Sequence, residues 1–128
     1  MKMNHRILVT LICGVALGAV AVTGLKAQVK SPVYAVIDIS EMTDVDAYIK
    51  AVSAAEPQST IAAGGRFIAR SSKPVALDGV APNRFVIIAF DDEGKAKAWY
   101  NSPALRELTA VRMKASKSRS FIVEGVTN

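Results

Sequence analysis

Apolar residues recur along this chain as strand-like runs separated by helical stripes, and their order predicts an architecture. Residues 33–39 (Val-Tyr-Ala-Val-Ile-Asp-Ile) are rich in β-branched side chains and read as a first strand. Alternation puts Ala35, Ile37 and Ile39 on one face and Tyr34, Val36 and Asp38 on the other. Thr43 or Asp44 then caps a helix in which Val45, Tyr48, Ile49 and Val52 share a face. Pro57 interrupts that stripe and predicts a kink or restarted turn within the element. Gly64-Gly65 closes it as a C-terminal cap.

A second strand follows at 66–70, where Phe67 and Ala69 point one way and Arg66, Ile68 and Arg70 the other. Residues 71–83 hold two prolines and an Asp78-Gly79 turn signal, the mark of a loop or irregular hairpin. Residues 84–90 are almost continuously apolar, as in a strand covered on both faces. Asp91-Asp92 opens a second helix through Trp99-Tyr100. Ser102-Pro103 restarts it, with Ser as cap and Pro in the first turn, and Leu105, Leu108 and Val111 continue the buried stripe. Residues 120–125 form the last strand.

The order is β-α-β-β-α-β, a ferredoxin-like α+β arrangement with a four-stranded antiparallel sheet and both helices on one face. The opposite sheet face would expose Tyr34, Val36, Ile68, Val86 and Ile88, or their neighbours of opposite register. A monomer does not normally leave so large an apolar patch in water. The pattern therefore predicts a homodimer, two sheets packed face to face in a dimeric α/β barrel.

The first residues change the picture of composition. Lys2 and Arg6 precede an uncharged run from 7 to 25, and Ala27 offers a small residue for cleavage. Residues 1–27 read as a signal peptide, 28–32 as a linker and 33–126 as the domain, which predicts a periplasmic or secreted protein. The uncharged run is also long enough to cross a bilayer, so an uncleaved inner-membrane anchor is the alternative. Of 16 basic residues Lys2, Arg6 and Lys26 leave with the leader, so 13 face 11 acids in the mature chain. That small surplus, with no basic run interleaved with aromatics, argues against a nucleic-acid partner.

The single His (His5) and single Cys (Cys13) also fall in the leader. A domain without either excludes the usual zinc and copper sites, Ser-His-Asp and Cys-His catalysis, haem ligation by His or Cys, and a disulfide. No metal and no cofactor is expected.

Among the remaining chemistry, Arg66 and Arg70 stand out. On a regular strand they share the barrel-facing side, and guanidinium pairs suit bidentate recognition of carboxylate or phosphate. The alternative is structural pairing of Arg66, Arg70 or Arg84 with Asp38, Asp78 or Glu124. Asp38 and Glu124 are the acids expected near the sheet, as ion-pair partners or as a general base. Trp99 and Tyr100 either edge a pocket or fill the core. Arg112 is expected to cover a helix surface or reach an acid. The candidate ligand contacts are Arg66, Arg70, Asp38, Arg84, Trp99 and Tyr34.

Taken together, Gly64-Gly65-Arg66-Phe67-Ile68-Ala69-Arg70, Asp78-Gly79, Arg84, Trp99-Tyr100-Asn101-Ser102-Pro103, Arg112 and Ser120-Phe121-Ile122-Val123-Glu124-Gly125 resemble the domain-of-unknown-function family 1330. The resemblance spans about residues 33–126. Asp78 stands where that family more often has Glu, and Leu105 where an aromatic is usual. The family resembles the dimeric α/β-barrel superfamily, which implies the same fold and a homodimer. Three functions remain open: a module binding a small anionic or aromatic molecule, a cofactor-independent enzyme of oxygenase or isomerase type as some superfamily members are, and a structural envelope dimer.

Overall fold

A computed structural model of the protein describes residues 30–128. The leader expected at 1–27 and the first residues of the linker lie outside the described residues, and none of the described helices is long and apolar enough to cross a membrane.

Strand β1 (Val33–Met42) is longer than its apolar run and lies inside the sheet, between β3 (Arg84–Phe90) and β4 (Ser116–Glu124). The fourth strand, β2 (Arg66–Ser71), pairs with the outer side of β3, so the order is β2-β3-β1-β4, antiparallel throughout. The connections carry helices α1 (Val45–Ala55), α2 (Gln58–Ala62), α3 (Glu93–Tyr100) and α4 (Pro103–Ala115). This is the ferredoxin-like α+β fold that the sequence order predicts.

The helix face of the sheet is the core. Ala35, Ile37 and Ile39 from β1 meet Val86, Ile88 and Phe90 from β3, under Tyr48, Trp99, Leu105 and Leu108 from the helices. Trp99 stacks on Phe90 at 5.2 Å between ring centroids, and its indole N–H donates to Thr60 Oγ1 at 3.0 Å. Burying an indole N–H without an acceptor is costly, so this bond ties α3 to α2.

Asp44 caps α1, its carboxylate accepting from the Ala47 N–H at 3.0 Å. The buried stripe of that helix differs from the expectation. Tyr48, Ala51, Val52 and Ala55 face inward, whereas Val45 and Ile49 are half-exposed. The alanines let α1 lie close against α4, which turns the larger side chains towards the helix edge.

The helix ends at Ala55, Glu56 is extended, and α2 restarts after a cis Glu56–Pro57 peptide bond, as the interruption at Pro57 predicts. Gly64 then adopts φ +83°, a left-handed turn that glycine alone takes without strain. At Gly65 a Cβ would stand 2.8 Å from Thr60 Cγ2 and 3.0 Å from the Phe90 ring.

Three further expectations need correction. The last strand begins at Ser116 rather than 120, because α4 runs into β4 without a loop. The Ala115 carbonyl there accepts both the Thr43 and Asp44 N–H groups, at 2.8 and 3.0 Å. Arg112 is not a surface residue: it is 2 % exposed, on the inner side of α4. And β2 does not alternate regularly, which rearranges the candidate site.

Candidate functional site

Strand β2 pairs with β3 as Arg66↔Ala89 and Phe67↔Ile88, then as Ala69↔Ile87 and Arg70↔Val86. The ladder skips Ile68, a β-bulge, and everything after it changes face. Phe67 and Arg70, rather than Phe67 and Ala69, thus lie on the helix side with Ile88 and Val86. The expectation that Arg66 and Arg70 share a face is therefore wrong: Arg66 lies on the open side of the sheet and Arg70 beneath the helices.

Their partners follow from that placement. Arg66 Nη1 is 3.5 Å from Asp91 Oδ1, an exposed contact that Lys95 shares from the next helical turn. Arg70 stacks over Phe67, 4.1 Å from the ring centroid, with Nη2 3.9 Å from Glu56 Oε2. Asp38, expected to partner one of these arginines, instead accepts from Arg119 Nε at 3.0 Å on the open face.

At the start of β3, Arg84 reaches over the Tyr48 ring at 5.3 Å, a cation–π arrangement. Arg70, Arg84, Tyr48 and Glu56 line one cleft of about 270 Å³ between α1 and the β2–β3 pair, with Ile49, Val52 and Val86 as its apolar wall. The Glu56 side chain is 9 % exposed and held at the inner end of α1. Burial pushes its carboxyl above the ordinary range, opposed by the nearby positive charges of Arg70 and Arg112 and by the Thr60 hydroxyl. Burial likewise raises the Tyr48 phenol, so it stays protonated and able to donate, although Arg84 draws it down.

Arg112 supports this cleft from behind. Its Nη2 donates to Ser120 Oγ at 3.2 Å, and its Nε, fully buried, has no hydrogen-bond partner. Among the described residues no carboxylate lies within 4.0 Å of either Arg84 or Arg112. Two guanidinium groups, Arg70 and Arg112, thus act on a single buried acid, and Arg84 lines the same cleft.

Of the six candidate ligand contacts the structure brings together two, Arg70 and Arg84. Tyr34 and Asp38 lie on the open sheet face, Arg66 is exposed beside Asp91, and Trp99 is buried in the core. Glu56, Tyr48 and Arg112 were not among the candidates. A signal for the first two was present: Tyr48, Val52 and Glu56 recur every four residues, so the acid continues the buried stripe of its helix.

The model of the family described as domain of unknown function DUF1330 matches residues 32–126. The chain belongs to this family. No curated protein matches it. Among solved structures, this DUF1330 chain is similar to a protein of unknown function from Rhodopseudomonas palustris, 14 % identical with a TM-score of 0.61, covering 86 % of this chain and 94 % of that one. A dimeric ferredoxin-like protein of unknown function from Thermobifida fusca is 15 % identical, with a TM-score of 0.52, and covers 74 % and 92 %. SnoaB, a cofactor-independent oxygenase from Streptomyces nogalater, is 9 % identical with a TM-score of 0.51 and covers 77 % and 96 %. At these identities the likeness establishes the fold that DUF1330 shares with them.

Proposed function

We propose that this DUF1330 protein binds a small anionic molecule in the cleft between α1 and the β2–β3 pair, with Arg84 and Arg70 as its cationic contacts. One observation carries the reading: among the described residues Arg84 and the buried Arg112 have no carboxylate within 4.0 Å, and Glu56 is the one acid among the residues that line the cleft. A positive excess at the cleft favours a ligand that brings negative charge, and Arg presents a planar fork suited to carboxylate or phosphate. The apolar wall of Ile49, Val52 and Val86 suits a ligand with an apolar body.

A thermal-shift comparison of the purified protein with its Arg84→Gln variant tests this. A carboxylate or phosphate ligand at a hundred times its dissociation constant should stabilise the parent by about 2.7 kcal/mol. The variant should lose that response while keeping its own melting transition. An equal response in both would place binding elsewhere, and the cleft would no longer be the site.

Two further parts of the proposal concern context. The protein acts as a homodimer joined through the open sheet face, a reading supported by the exposed Ile68, Phe121 and Val123 and by the dimeric Thermobifida fusca protein of the same fold. It is exported, with residues 1–27 as the leader. Intact-mass measurement on the envelope fraction should find a chain beginning at Gln28, whereas a full-length mass in the membrane fraction would mean an anchor.

A further inference from the structure

We propose that the cleft is a proton-transfer site: Glu56 acts as the base that enolises a small anionic carbonyl compound, of the 2-oxo acid class, held by Arg84 and Arg70. This rests on the anion-site reading above and adds chemistry to it.

The argument begins with what the cleft contains. Glu56 is its one carboxylate, at the inner end, with 9 % of its side chain exposed. A base must reach a C–H bond without being levelled by water, and a buried carboxylate meets that need. The pairing to Arg70 at 3.9 Å is long for a charge-assisted hydrogen bond, so the carboxylate, which also meets the Thr60 hydroxyl, keeps an oxygen able to accept a proton. A structural ion pair would be expected to close to a shorter, bidentate contact.

The second requirement is a place for the negative charge that develops on the substrate. Tyr48 offers a phenol O–H on the same wall as Arg84, whose guanidinium sits over the ring. A neutral donor and a fixed cation are the groups that stabilise an enolate oxygen. Arg112, buried behind them without a carboxylate partner, adds fixed positive charge that needs no rearrangement during the reaction.

The step balances without any oxidant, reductant or metal. The bond between the carbon next to the carbonyl and its hydrogen breaks, and the proton passes to the Glu56 carboxylate. The electron pair of that bond forms the carbon–carbon double bond, and the carbonyl π pair moves onto oxygen, where Tyr48 and Arg84 face it. Glu56 then returns the proton to carbon, or exchanges it with solvent first. The outcome is redox-neutral tautomerisation, visible as hydrogen exchange. The substrate carboxylate supplies the anion that Arg70 and Arg84 select.

The test uses two probes. Phenylpyruvate has a carboxylate, a ketone and exchangeable C3 hydrogens; benzoylformate has the first two and no enolisable hydrogen. Loss of the C3 signal of phenylpyruvate in D2O is followed by proton NMR with the purified protein and with Glu56→Gln. Benzoylformate is titrated calorimetrically into both proteins and into Arg84→Gln. The expected result is protein-dependent exchange that falls about 100-fold or more in Glu56→Gln. Benzoylformate affinity should stay within a few-fold in that variant and drop at least about tenfold in Arg84→Gln. Benzoylformate binding without exchange above the protein-free rate would overturn the proton-transfer proposal and leave the anion site standing. Exchange undiminished in Glu56→Gln would overturn the role of Glu56. Failure of benzoylformate to bind the parent, together with no exchange of phenylpyruvate above the protein-free rate, would overturn both readings at once.

Discussion

Glu56 carries its proton more tightly in the folded protein than an ordinary glutamate, because burial outweighs the attraction of Arg70 and Arg112. The sign of the resulting pH effect follows. A raised carboxyl pKa means the folded state binds more protons than the unfolded chain between the two values. Its contribution to stability is fully present below the unfolded value of 4.5 and is lost as pH rises through the folded value. Besides burial, the groups that set the effect are Arg70 on β2, Arg112 on α4 and Thr60 on α2, and Tyr48 on α1 and Arg84 on β3 line the same cleft. Melting curves from about pH 4 to about pH 8 should therefore show the parent losing stability relative to Glu56→Gln as pH rises. A constant difference between the two proteins would mean that Glu56 does not titrate differently on folding. At Trp99 the expectation is thermodynamic alone. Trp99→Phe deprives the buried Thr60 hydroxyl of its donor and should cost about 1–3 kcal/mol in chemical denaturation. The aromatic character of residue 99 was legible from the chain. Its partner was not, because Thr60 lies 39 positions away and only the packing of α2 beneath α3 brings the two together.

At the level of elements, β-branched runs, cap residues and the restart at Pro57 were readable because each is a local preference. Residues 84–90 match β3 residue for residue, and Asp92 and Ser102 stand at the starts of α3 and α4. What failed was phase. The bulge at Ile68 has no strong local signature in Arg-Phe-Ile-Ala-Arg, and alternation read straight through it assigned Arg70 to the wrong side. The facing of α1 failed for a related reason: the most hydrophobic residues, Val45 and Ile49, gave way to smaller ones that allow two helices to approach. Gly65 tests how tightly β2 and α2 are joined. Gly65→Ala places a methyl group against Thr60 and Phe90 and should destabilise the fold by about 1–3 kcal/mol, measured by denaturant titration. A neutral substitution would show that α2 can move away from Phe90 freely.

For the molecule as a whole, the sheet has one face buried by helices and one that carries Phe121 at 44 %, Val123 at 43 % and Ile68 at 56 % exposure. Apart from the sheet, the loop at 72–83 exposes Val75, Leu77 and Val80 almost fully. The face also carries both signs of charge in Asp38 and Arg119, so it can meet a copy of itself without like-charge conflict. A dimer by sedimentation at micromolar concentration is the expected state, and Phe121→Glu should convert it to monomer while leaving the far-ultraviolet circular dichroism unchanged. A parent that sediments as a monomer would remove the dimer from the functional picture. The cleft lies on the helix side of the sheet, so the proposed ligand binding and the proposed assembly are separable by mutation: Phe121→Glu should leave the Arg84-dependent thermal shift in place.

The bulge at Ile68 also bears on how relatives of this protein are compared. Because the extra residue is accommodated locally, a relative lacking it would carry Arg-Phe-Ala-Arg and present its second arginine to the same cleft in an unbroken ladder. A relative that keeps the five-residue spacing but pairs regularly would aim that arginine at the open sheet face instead. Column identity in an alignment would thus score the second chain as preserving the site and the first as having lost it, the reverse of what their backbones do.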